Sequence, residues 1–156
     1  MSNFITISEV ISQAFNRSIE DGKILDNDIT AAEWKYIKPI LTDDLWDDAK
    51  ANPSSYVDLI EKIKPCLSYY IKYEIMPELS MTISDRGSFI QTAGDSQPMT
   101  DEQRRVLRDS VLEKANSLAE MLSDYIATAE LVEYERTDNL KPQIIGGILV
   151  YKKIGE

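Results

Sequence analysis

The chain has 156 residues, 43% of them hydrophobic and 28% charged, which gives room for one domain with a modest core and excludes wholesale disorder. Asp and Glu number 27 against 17 Lys and Arg, a formal charge of −10, so binding to nucleic acid through a basic face is disfavoured. Histidine is absent, which removes the commonest general base, the commonest transition-metal ligand and the usual partner of a Ser or Cys nucleophile.

The first element runs from Ile7 to Ile19, with Val10, Ile11, Ala14, Phe15 and Ile19 at three- and four-residue spacings. Ser8 is placed to cap this amphipathic helix and Gly22 lies beyond its end. A loop, Asp21 to Ile29, follows. Thr30-Ala31-Ala32-Glu33 has the capping-box pattern, in which hydroxyl and carboxylate each satisfy a free backbone N–H. The helix it opens carries Trp34, Tyr36 and Ile37 until Pro39 disturbs it. Ile40, Leu41, Leu45, Trp46 and Ala49 continue a helical pattern that stops at Asn52-Pro53. From Tyr56 onward, Leu59, Ile63, Leu67 and Tyr70 share a face, and the phase survives Pro65. One kinked helix and two abutting helices both fit, and Pro77 is expected to end the stretch.

Character changes at Leu79. Met81-Thr82-Ile83 and Phe89-Ile90-Gln91-Thr92 are β-prone runs either side of Asp85-Arg86-Gly87-Ser88, a pattern that predicts a hairpin turned at Gly87. Thr100-Asp101-Glu102-Gln103 is a second capping box and opens the clearest element. Over Asp101–Ala129, Leu107, Val111, Ala115, Leu118, Leu122, Tyr125 and Ala129 lie within about 80° of arc, with Arg105, Asp109, Glu113, Asn116, Glu120 and Asp124 on the other side. A helix of that span is roughly 43 Å long and is expected to be the spine of the domain. After a polar stretch at Thr137–Gln143, six of the eight residues from Ile144 to Tyr151 are apolar and β-prone, which predicts a strand. That strand needs an edge, supplied by the hairpin or by another subunit. The expected fold is therefore mainly α: a helical bundle with one long helix, plus a β-hairpin and a C-terminal β-strand. The helical domain spans 1–136 with the hairpin insertion at 79–98, and residues 137–156 form linker and strand.

Candidate chemistry is thin. Asp43, Asp44, Asp47 and Asp48 are the densest acidic cluster, but they fit a helix start favoured by the positive dipole end better than a Mg²⁺ or Ca²⁺ cage, for which no further ligands are near. Asp26-Asn27-Asp28-Ile29-Thr30 fails as a calcium loop, since Ala31 stands where glycine is required and Ile37 where glutamate is required. Gly146-Gly147 is followed by neither Lys-Ser nor Lys-Thr and is no phosphate loop. Cys66, the single cysteine, excludes an internal disulfide, suits a reducing cytoplasm and sits on an apolar face as a packing residue. No apolar run approaches the roughly 20 residues of a membrane span, and Met1–Phe4 lacks the start of a secretory signal. The expectation is a protein that is not an enzyme, with no catalytic residues, no cofactor and no metal.

The order of segments resembles a known family. Short helices, the Met81-Thr82-Ile83-Ser84-Asp85-Arg86-Gly87 turn, a polar stretch ending in Pro98 and a long helix ending in Leu118-Ala119-Glu120-Met121-Leu122-Ser123-Asp124-Tyr125-Ile126 are similar to the head–tail adaptor (connector) proteins of tailed bacteriophages. The versions in phages of Bacteroidetes hosts, including crAss-like phages, are the ones it resembles, over roughly Ala32 to Ile126. The resemblance implies a structural virion protein made in the host cytoplasm and placed in the neck. There a homo-oligomeric ring of about twelve copies links the portal protein to other neck and tail proteins and lines the DNA exit path. It also implies subunit or portal contacts through Ile83, Arg86, Phe89 and Ile90 in the hairpin, and Ile145, Ile148, Val150 and Tyr151 are the matching candidates in the tail. The alternative from another class is a soluble cytoplasmic binding module that captures one partner with its hairpin or C-terminal strand.

Overall fold

The computed structural model describes residues 3–16, 19–82, 89–92, 95–98, 100–129, 140–145 and 148–153, and gives the backbone alone for 80–82 and for the strands. Helix α1 spans Ile7–Ala14. Its cap is Thr6 and not Ser8: the Thr6 hydroxyl accepts from the Glu9 N–H at 3.3 Å while the Glu9 carboxylate accepts from the Thr6 N–H at 2.9 Å. The helix ends at Ala14, and Asn16 just beyond it takes φ 48°, the left-handed position that Asn tolerates better than most residues, so the turn comes before Gly22 is reached.

A single 3₁₀ turn at Asp21–Lys23 and helix α2, Asp26–Ala32, occupy the stretch expected to be a loop. The start signal there is acidic: the Asp28 carboxylate accepts from the Leu25 N–H at 2.8 Å. Thr30 lies inside α2, and its hydroxyl donates to the Asp26 carbonyl at 3.0 Å, so the capping box expected at Thr30–Glu33 does not form. A π-helical turn, Glu33–Ile37, follows α2 directly. Thr42 caps α3, Asp43–Ala51, by accepting from the Leu45 N–H at 3.2 Å. A 3₁₀ turn at Pro53–Ser55 leads into α4.

Helix α4 runs without a break from Val57 to Thr82 and contains both Pro65 and Pro77. Each proline removes one backbone donor, and on each side of Pro65 residues such as Ile63, Cys66 and Leu67 are fully buried, so tertiary packing outweighs the local cost. Helix α5, Asp101–Thr128, begins on the expected capping box: Thr100 Oγ1 accepts from the Gln103 N–H at 3.2 Å and Gln103 Oε1 accepts from the Thr100 N–H at 2.9 Å. At 1.5 Å per residue, α4 and α5 are about 39 and 42 Å long.

The helical body is built around α4, which packs against α1, α2, the π turn and α5. The core runs from Phe4 to Ile126 and is drawn from the helices and the turns between them. Tyr36 stacks on Tyr70 with ring centroids 4.0 Å apart, and the Tyr70 hydroxyl donates to Asn116 Oδ1 at 2.8 Å. Glu9 of α1 pairs with Lys64 of α4 at 2.8 Å. The Lys72 ammonium closes the other end of α1 by donating to the Ala14 carbonyl at 2.7 Å.

The β part of the expected fold is corrected. Met81 and Thr82 finish α4, because Glu78-Leu79-Ser80 continues the helix past Pro77, so they open no hairpin with 89–92. Phe89–Thr92 (β1) instead pairs with Asp95–Pro98 (β2). The single C-terminal strand is absent too: Leu140–Ile145 (β3) and Ile148–Lys153 (β4) pair antiparallel on either side of Gly146-Gly147. The apolar run that reads as one strand is thus two paired strands. The molecule is mainly helical, the buried core among the described side chains comes from the helices and the segments between them, and there are two long helices where one was expected.

Candidate functional site

The most enclosed ion pair among the described residues joins α3 to the π turn. Lys50 Nζ lies 2.6 Å from Glu33 Oε2, and the two side chains are 4% and 2% exposed. The Phe4 N–H donates to the other Glu33 oxygen, and the ammonium sits 3.8 Å from the Phe4 ring centroid. Three residues, from the N-terminal segment, the π turn and α3, thus close on one another. This is a structural clasp, since its charges face each other inside the core.

A second network surrounds Glu74 on α4. Lys35 donates to its carboxylate at 2.6 Å, Tyr36 donates to the same oxygen, and the Arg108 guanidinium lies 4.3 Å over the neighbouring Tyr73 ring. Burial pushes the Glu74 carboxyl up, but the bonds from Lys35 and Tyr36 and the charges of Lys35 and Arg108 outweigh it and hold the group below its ordinary value. The same burial and the Glu74 charge push the Tyr36 phenol up. Both networks tie elements together, and neither sets a nucleophile beside a base. Burial pushes the Cys66 thiol up to about 12, far from a thiolate at neutral pH.

The four clustered aspartates do not converge either. Asp43 and Asp44 lie in the first turn of α3, Asp43 pairs with Lys38 at 3.5 Å, and Asp48 accepts from the Tyr56 hydroxyl at 2.9 Å. Among the described residues no three acidic or sulfur side chains gather closely enough to hold a metal ion. No described helix is long and apolar enough to cross a membrane.

What the fold leaves open is apolar surface. Six large hydrophobic side chains are exposed among the described residues, and three of them, Val106, Leu107 and Met121, belong to α5. The α5 face against α4 is Val111, Leu112, Ala115, Asn116, Ala119, Leu122 and Ile126. It is rotated from the stripe expected from sequence: Asn116 is buried, and Leu107 is 45% exposed. Leu107, Leu118, Met121 and Tyr125 therefore make a second seam beside the first, with Leu118 and Tyr125 half-buried and Met121 64% exposed. Lys114 is exposed within this row, and Glu113, Glu120 and Asp124 are exposed farther round the helix. Trp34, in the π turn, is 57% exposed although it is held from below by Trp46, with centroids 6.2 Å apart, and covered on one face by the Lys38 ammonium at 3.9 Å.

The expected contact residues fall at two places along the chain. Ile83 and Arg86 lie outside the described residues. Phe89 and Ile90 are in β1, opposite Pro98 and Gln97, on the segment joining the C-terminal end of α4 to the N-terminal end of α5. Ile145 stands opposite Ile148, Val150 opposite Gln143 and Tyr151 opposite Pro142, in the segment after the far end of α5. Among the described residues the two sets lie in separate two-stranded sheets, one on the chain between α4 and α5 and one after α5. Trp34, Leu107 and Met121 did not enter the expected contacts. For α5 a signal was present: Val106 and Met121 lie outside the arc that one packed face needs.

The profile of a family of unknown function, DUF6712, matches residues 20–144. The chain belongs to this family. The DUF6712 match takes in α2 to α5 and leaves out α1, so the pair of long helices and the π turn with Trp34 are part of what the family shares in extent. No curated protein and no solved structure matches the chain. The description of DUF6712 names no activity, so the reading of function rests on the chain's own chemistry.

Proposed function

We propose that this chain is a structural virion protein, a ring-forming head–tail adaptor that links the portal vertex of a tailed phage to its tail and lines the DNA exit path. The observation that carries the reading is the second α5 seam: the core closes without Leu107 and Met121, and a 42 Å helix of about that length keeps an apolar row facing outward. A rigid two-helix strut with connecting segments at both ends suits a subunit that must touch neighbours on more than one side. The segment order over Ala32–Ile126, which resembles head–tail adaptors, supports the same reading. A formal charge of −10 favours a channel wall that repels DNA and lets it pass.

The test is particle size by light scattering and electron microscopy, on the purified chain alone and mixed with a portal protein. A closed ring in either sample is the expected result. A chain that stays single in both, and that binds an unrelated host protein, belongs to the alternative class of binding modules.

A further inference from the structure

Four lysines of the helical body face an acid: Lys35, Lys38, Lys50 and Lys64 each lie within 3.5 Å of a carboxylate. Lys72 of α4 and Lys114 of α5 differ. Among the described residues neither has a carboxylate partner, although Asp and Glu outnumber Lys and Arg by 27 to 17. The two reach the same ring from different helices. Lys114 Nζ lies 4.4 Å from the Tyr69 ring centroid and Lys72 Nζ 6.0 Å from it. Lys72 is anchored on its other side, donating to the Ala14 carbonyl at 2.7 Å and lying 5.0 Å from the Phe15 ring, which leaves two of its three donors. Lys114 is exposed and makes no hydrogen bond to a described residue, so its three donors are open, and the Tyr69 hydroxyl makes none either. Burial pulls the Lys72 ammonium below its ordinary value, and the Lys114 charge pulls the same way. β4, which also contacts α5, carries Lys152 and Lys153 and no acid, so it brings no compensating charge.

We infer that Lys72 and Lys114, held against Tyr69 where α4 and α5 meet the end of α1, bind a phosphate dianion, free or as the end of a phosphomonoester. Charge selects the ligand. Two ammonium groups match two negative charges, and a phosphate offers several strong acceptors to donors that arrive from two helices. A lone carboxylate carries one charge and would leave one ammonium unmatched. The inference goes beyond the adaptor reading and does not depend on copies associating.

The experiment titrates the full-length chain with inorganic orthophosphate near neutral pH in a calorimeter, with sodium chloride holding the ionic strength constant. Saturable one-to-one binding is expected. Lys114→Gln should weaken it about tenfold, and Lys114→Arg, which keeps the charge, should weaken it less. Position 114 is exposed, so circular dichroism should show unchanged helix content in both variants. Lys23→Gln, which removes an exposed lysine from the 3₁₀ turn, should bind like the wild type. AMP is the second probe: binding tighter than orthophosphate assigns the site to a phosphomonoester, and equal or weaker binding assigns it to free phosphate. The inference is overturned if orthophosphate does not saturate the chain or if Lys114→Gln binds like the wild type. It is also overturned if Lys23→Gln is weakened as much as Lys114→Gln, which would mark general charge attraction.

Discussion

At the scale of single residues, Glu33 bears the most on stability. Its carboxylate is 2% exposed and receives both the Lys50 ammonium and the Phe4 N–H, so Glu33→Ala leaves the lysine charge in the core without its carboxylate. The expected loss is roughly 3–5 kcal/mol in chemical denaturation, and the double change Glu33→Leu with Lys50→Met should recover most of it. Glu74 supplies a pH dependence. Its folded value lies below the ordinary 4.5, so its stabilising effect is fully present above that pH and is lost as pH falls through the folded value. Denaturation midpoints of wild type and Glu74→Gln should therefore differ at neutral pH and converge as pH falls below the ordinary carboxylate range. Neither network was legible in the sequence. Glu33 looks like a capping glutamate three residues after a threonine, and nothing local shows that it faces Lys50, 17 residues later.

At the scale of elements, caps separate what local chemistry decides from what packing decides. Thr100→Ala should cost about 1 kcal/mol, because Thr100 caps α5, whereas Thr30→Ala should cost clearly less, since Thr30 sits inside α2. Thermal or urea denaturation of the two variants checks the contrast. The Thr100 box was readable because the polar segment before it leaves no competing start. The Thr30 box was misleading because Asp26 and Asp28 begin the helix four residues earlier. Prolines misled in the same way. Pro39 does end a helical run, but Pro65 and Pro77 sit inside α4, where Ile63, Leu67, Ile71 and Ile75 hold the helix against its neighbours. Propensity weighs the backbone alone and cannot count that packing.

At the scale of the molecule, α4 and not α5 is the centre, and close approach of the two depends on small residues. Ala115 and Ala119 are 0% exposed, and the Cys66 thiol points at the Ala115 carbonyl. Ala115→Leu should overpack this contact, lowering stability by about 1–3 kcal/mol and reducing the melting temperature in calorimetry. The helical class and the length of α5 were legible from periodicity, but the outward seam was not. Leu107 and Leu118 sit at the edge of the buried arc, and a rotation of one residue decides whether such positions meet α4 or water. The β-prone runs misled for a related reason, since Met81 and Thr82 belong to a helix whose phase is set from far inside the core.

The buried hydrogen bond from Tyr70 to Asn116 bears on mechanics. Sliding α4 along α5 by one turn, about 5.4 Å, would break that bond. The two helices are therefore keyed, like a bolt in its notch, and a push on one end of the pair arrives at the other with little slack.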